Sequence, residues 1–66
     1  MSTVIERIDK KTIKVVKDGV YYEIFKYFVT GKFGVYKEIN DVMNLMEEFR
    51  TIAEAKMFIE NDKKGE

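Results

Sequence analysis

Sixty-six residues without Cys, His, Pro or Trp carry twelve basic and twelve acidic groups, so the formal net charge is zero. Lack of Cys and His excludes disulfides, thiolate and imidazole metal sites, and the His- or Cys-based pairs that activate most enzymatic nucleophiles. A chain this short buries only about 60% of its extended-chain surface and commonly leans on disulfides, metals or self-association; only self-association is left.

Val and Ile together number fourteen against a single Leu, so the core is mostly sheet. Residues 2–9, STVIERID, alternate loosely, with Val4, Glu6 and Ile8 on one side and Ile5 and Arg7 on the other. Residues 12–18, TIKVVKD, read as the partner strand, and the intervening DKK suits a short turn. Asp18-Gly19 then fits a two-residue hairpin turn in which both central residues need positive φ. A third strand is expected from about Val20 to Thr30. Another glycine turn, TGK at 30–32, leads into the strand FGVYKEI at 33–39.

Residues 40–49, NDVMNLMEEF, admit two readings. Val42, Leu45, Met46 and Phe49 sit at helical spacing, whereas Asn40-Asp41 suits a hairpin turn into a strand whose one face carries Met43, Leu45 and Phe49. The turn residues tip the reading toward a fifth strand. TIAE at 51–54 is a capping box, and it starts a helix over about 52–61 with Ile52, Ala55, Phe58 and Ile59 on one face. The expectation is an α+β domain over residues 1–60: an antiparallel meander of four to five strands with one C-terminal helix packed on one face. Residues 61–66 are expected to be a disordered polar tail.

Residues 18–37 hold seven of the nine aromatic side chains. On the third strand Val20, Tyr22, Ile24 and Phe28 share one face, and Tyr21, Phe25, Tyr27 and Val29 share the other with Glu23. Both faces therefore read as apolar, yet one short helix covers one of them. The second face is buried by a curled sheet, meets a second copy in a homodimer, or serves a ligand. The homodimer is preferred, with Tyr21, Phe25, Tyr27 and Val29 as its interface; an unidentified protein partner is also open. The alternative is a sheet-face nucleic-acid binder with contacts from Lys14, Lys17, Lys26, Lys37 and Tyr36, and weak affinity given the zero net charge. Charge is unevenly laid out, at +4 over residues 1–37 and −4 over residues 38–66, which suits either a self-complementary dimer or an anion-binding face.

No catalytic, metal-binding or cofactor-binding set is legible. Glu47 and Glu48 are adjacent and point apart on a strand, and TGKFG lacks the spacing of a phosphate-binding loop. No enzymatic activity and no cofactor are expected. The N-terminal MSTVIERIDKK has charges where a secretion signal needs an apolar run, and no apolar run is long enough to span a membrane, so a cytoplasmic protein is expected.

Three strands followed by FRTIAEAKMFI at 49–59 resemble the β-β-β-helix modules of plant AP2-type domains and integrase arm-binding domains. In those families a Phe-x-Thr-x-x-Glu-Ala segment, here Phe49, Thr51, Glu54 and Ala55, leads from the last strand into the helix. The resemblance implies a shared architecture over about forty residues. Those families read DNA with Arg and Trp on the exposed sheet face; this chain has no Trp, and its two arginines are Arg7 and Arg50.

Overall fold

A computed structural model describes residues 3–62. The chain runs β1 (Thr3–Arg7), β2 (Thr12–Lys17), β3 (Val20–Lys26), β4 (Phe33–Ile39), β5 (Val42–Phe49) and α1 (Ile52–Asn61). The strands form one antiparallel sheet in sequence order, β1 to β5, so the α+β meander expected from the sequence is the observed fold.

Turn chemistry sets the register. Asp9 closes the β1–β2 turn, its Oδ1 accepting from the amides of Lys11 and Thr12 at 2.8 Å each. Asp18 and Gly19 both have positive φ (51° and 81°), as the right-handed strand twist requires of a two-residue hairpin. Asn40 and Asp41 repeat this at 53° and 66°, and residues 42–49 form the fifth strand rather than a helix. Their helical spacing is overridden by the turn before them.

Two strand details depart from the sequence reading. In β5, Val35 faces Glu47 but Tyr36 faces Leu45, so Met46 is the extra residue of a bulge. The bulge switches phase, and Phe49 therefore lies on the opposite face from Met43 and Leu45. β3 ends at Lys26, not at Thr30. Beyond it the Tyr27 amide donates to the Lys32 carbonyl at 2.8 Å and the Gly31 amide to the Tyr27 carbonyl at 2.9 Å, closing a tight loop.

α1 lies across β3, β4 and β5. Thr51 Oγ1 caps it by accepting from the Glu54 amide at 3.1 Å, while the Glu54 carboxylate reaches back to the Arg50 amide at 3.2 Å. Ile13, Val15, Tyr22, Ile24 and Val35 form the sheet side of the core, and Ala55 and Ile59 the helix side. Ile52 and Phe58 pack at its margin, with the Phe58 ring 5.4 Å from that of Phe49. A helix of ten residues spans about 15 Å and does not reach the β1 edge, which is why Ile5 stays half exposed there. The helix takes in Asn61, and Asp62 is held by the sheet, so neither is part of a free tail; the rest of the expected tail, 63–66, lies outside the described residues.

Candidate interaction surface

The face opposite α1 is built by the period of two along β3 and the register of its neighbours. Tyr21, Glu23 and Phe25 point to it. Beside Tyr21 lie Val16 and then Val4; beside Glu23 lie Lys14 and then Glu6. On the other flank Glu23 has Tyr36 and then Leu45, and Phe25 has Gly34 and then Glu48. The sheet is open, with β1 and β5 as its edges, and α1 lies on its other side.

Gly34 makes room for one ring. A Cβ there would come within 2.6–2.9 Å of the Tyr27 hydroxyl and ring, because the Tyr27 ring folds back across the glycine. That ring meets Phe25 edge-on, with centroids 5.6 Å apart at 70°, and its hydroxyl hydrogen-bonds the Tyr36 hydroxyl at 2.5 Å. The bond to Tyr36, aided by burial, pushes the Tyr27 phenol up to about 12. Tyr21 donates its hydroxyl to Glu23 at 3.0 Å, and that bond raises its phenol too. Each of these phenol hydroxyls thus has a partner within the face.

The face is aromatic toward the β3–β4 end and charged across the middle. Reading β3 alone made the whole face apolar; Glu6, Lys14 and Glu23 lie side by side across three strands and split it. The aromatic half continues into the β3–β4 loop, where Phe28 is 85% exposed and Val29 92%. Both lie inside the turn that Tyr27 and Gly31 close, so neither side chain is in phase with a sheet face. Of the four residues expected at an interface, Tyr21, Phe25 and Tyr27 share the open face, half-buried, and Val29 stands at the loop tip beside them.

The lysines expected to track phosphates are not brought together. Lys14 is on the open face, its Nζ 5.2 Å from the Tyr21 ring centroid, and Tyr36 shares that face. Lys26 is on the helix face, 5.9 Å from the Phe33 centroid. Lys17 and Lys37 are buried, each 7% exposed. Lys17 Nζ donates to the Ile59 and Glu60 carbonyls at 2.6 and 3.0 Å and to the Asp62 carbonyl, capping the helix C-terminus. Lys37 pairs with Asp62 at 2.8 Å, and Tyr22 donates its hydroxyl to the same oxygen. Burial, then the Asp62 bond, raises the Tyr22 phenol. Burial pushes the Asp62 carboxyl up, but the bonds from Lys37 and Tyr22 outweigh it and hold it below its usual range. The open face itself carries Glu6, Glu23, Glu38 and Glu48 against Lys14.

Sequence reasoning missed the lysine–Asp62 hub, whose sign was legible: Lys17 and Lys37 are in phase with Ile13–Val15 and Phe33–Val35. It also missed an apolar groove of about 520 Å³ between β5 and α1, lined by Phe49, Ala53, Met57 and Phe58 and rimmed by Glu47 and Glu54.

Among the described residues no helix is long and apolar enough to cross a membrane. Comparison with family models, with curated proteins and with solved structures returns no match.

Proposed function

We propose that this chain is a small, non-enzymatic, cytoplasmic interaction domain that forms a homodimer through the aromatic half of its open sheet face. The observation that carries the reading is the loop tip. Phe28 and Val29, almost fully exposed, adjoin Tyr27 and Phe25, and apolar side chains so presented are characteristic of contact surfaces. The β5–α1 groove offers the complement on a second copy. It is apolar and rimmed by Glu47 and Glu54, whereas the tip is apolar and followed by Lys32. Reciprocal insertion of each tip into the other copy's groove satisfies two-fold symmetry. It also sets the basic half of one chain against the acidic half of the other, which favours orientation more than affinity.

Dispersal of the lysines and the excess of glutamates on the open face weigh against the nucleic-acid reading. Sedimentation of the parent and of Val29→Glu across a concentration series tests the dimer. The parent is expected to shift from monomer to dimer, and Val29→Glu, which alters an exposed loop side chain, to remain folded and monomeric. A parent that stays monomeric throughout refutes the reading.

A further inference from the structure

At the end of the helix face away from Asp62, the chain gathers positive charge around a recess. Arg7 closes β1 opposite Ile13, on the helix side of the sheet. Lys10 and Lys11 follow in the turn that Asp9 rigidifies, and the Lys26 amide donates to the Lys11 carbonyl at 2.9 Å, tying that turn to the end of β3. Arg7, Lys10, Lys11 and Lys26 line a recess of about 240 Å³. No acidic residue lines it, and among the described residues none of these four cations takes part in an ion pair. Asp9, next to Lys10 in the chain, accepts from the turn amides, and Glu6, next to Arg7, lies on the open face.

The rest of the lining is apolar: Ile13, Ile24, Phe33 and Ile52. Ile52 is also the first residue of α1, so the positive end of the helix dipole lies at this wall. Four like charges around so small a volume repel one another, and the fold offsets that only in part, through Asp9 near Lys11 and the ring contacts of Lys11 with Phe28 and Lys26 with Phe33. An anion would complete the balance. A planar guanidinium and three ammonium groups suit a doubly charged phosphate better than a single carboxylate. The volume lies just under the roughly 300–1,000 Å³ of typical small-ligand clefts, which favours a compact molecule. A polynucleotide is a poorer fit, since the cations converge on a recess instead of following a track.

We propose that this recess binds a phosphate monoester carried on a small apolar or aromatic body, with the phosphate among Arg7, Lys10, Lys11 and Lys26 and the body against Phe33, Ile52 and the edge of Ile13, above the buried Ile24. The recess adjoins the loop tip, Lys11 Nζ lying 5.3 Å from the Phe28 ring centroid, so the titrations are run on the Val29→Glu variant as well as the parent, which reads binding apart from dimerisation.

Phenyl phosphate is the probe, with inorganic phosphate and phenol as its two halves, titrated into the full chain and followed by calorimetry and by the methyl resonances of Ile13 and Ile24. Phenyl phosphate is expected to bind in the millimolar range or tighter and to move both methyl signals. Inorganic phosphate should bind more weakly and phenol not at all. In Arg7→Gln/Lys26→Gln affinity should fall about tenfold or more, since charge-assisted hydrogen bonds are the strong ones. In Lys14→Gln, on the opposite face, it should be unchanged. The double variant relieves repulsion and should melt at or above the parent temperature, which separates lost binding from lost fold. Absence of binding by the parent, equal loss in Lys14→Gln, or tighter binding of a single-stranded oligonucleotide with the same dependence on Arg7 and Lys26 would each overturn the proposal.

Discussion

Lys37 Nζ lies 2.8 Å from Oδ2 of Asp62, joining a buried strand position to the residue that ends the helix. The carboxyl is held below its usual value, so its contribution is present above the unfolded-state value near 3.8 and is lost as pH falls through the folded one. Asp62→Asn should cost about 1–3 kcal/mol at neutral pH, the usual range for a lost charge-assisted bond with a partner left buried. The gap between parent and variant should close in acid. Urea melts of both proteins over a pH series from about 7 down into the acid range check this, since the contribution fades as pH falls through the folded-state value. A gap that persists in acid means that the charge is not what holds the helix end.

The Tyr27 ring depends on the missing side chain of Gly34. Gly34→Ala should lift that ring off the sheet, breaking its bond to Tyr36 and its contact with Phe25. The Tyr27 phenol, raised to about 12, should return toward its ordinary value of 10.0. Because the folded-state value is the higher one, its stabilising effect is complete below pH 10 and fades as pH climbs to the folded value. Alkaline spectrophotometric titration should therefore show one more tyrosine ionising early in Gly34→Ala than in the parent. Identical titrations would show that the ring keeps its place without the glycine.

Ile59 is the helix's main anchor, almost wholly buried, whereas Phe58 is half-buried at the margin against Phe49. Ile59→Ala should cost about 2–5 kcal/mol and Phe58→Ala should fall toward the lower end of the roughly 3–5 expected for a core Phe. For a domain of this size Ile59→Ala approaches the total stability, which is about 0.05–0.15 kcal/mol per residue. Thermal melts of the two variants give the order; a more severe loss in Phe58→Ala would reverse it.

Phe25→Glu places a charge at the centre of the aromatic half, edge-on to Tyr27. In a dimer it should abolish association and lower the melting temperature, whereas Val29→Glu should abolish association alone. Sedimentation paired with melting separates the two effects.

Random-sequence duplex or single-stranded DNA should bind weakly or not at all at physiological salt. Lys17 and Lys37 are spent on the helix end, and the open face is mostly acidic. Tight binding whose logarithm falls steeply with salt would revive the sheet-face reading.

Strand order, the turns at 18–19 and 40–41 and the bounds of α1 were legible because each rests on local chemistry: a positive-φ pair or a capping Thr followed by Glu54. The bulge at Met46 was not, since it is a property of two strands, and it moved Phe49 to the other face. The end of β3 at Lys26 was missed for a similar reason: Tyr27, Phe28 and Val29 are good strand residues, and only the bonds to Gly31 and Lys32 turn them into a loop. Tyr21, Phe25 and Tyr27 were placed together correctly from the period of two. Glu23 was placed with them too, but its charged neighbours Lys14 and Glu6 were not, because cross-strand pairs are set by register and not by sequence adjacency.

Every strand pairs with its neighbour in sequence, whereas the bonds from Lys17 to the helix end span 42 to 45 residues. Loop closure of that length is the slowest contact to search for, so the hairpins assemble early and the helix docks last. The reverse order holds for opening. Release of Asp62 is expected to loosen the C-terminal end of α1 before the strands part. First protease attack on the native protein is accordingly expected at the C-terminal end of α1, at a rate that rises in Asp62→Asn.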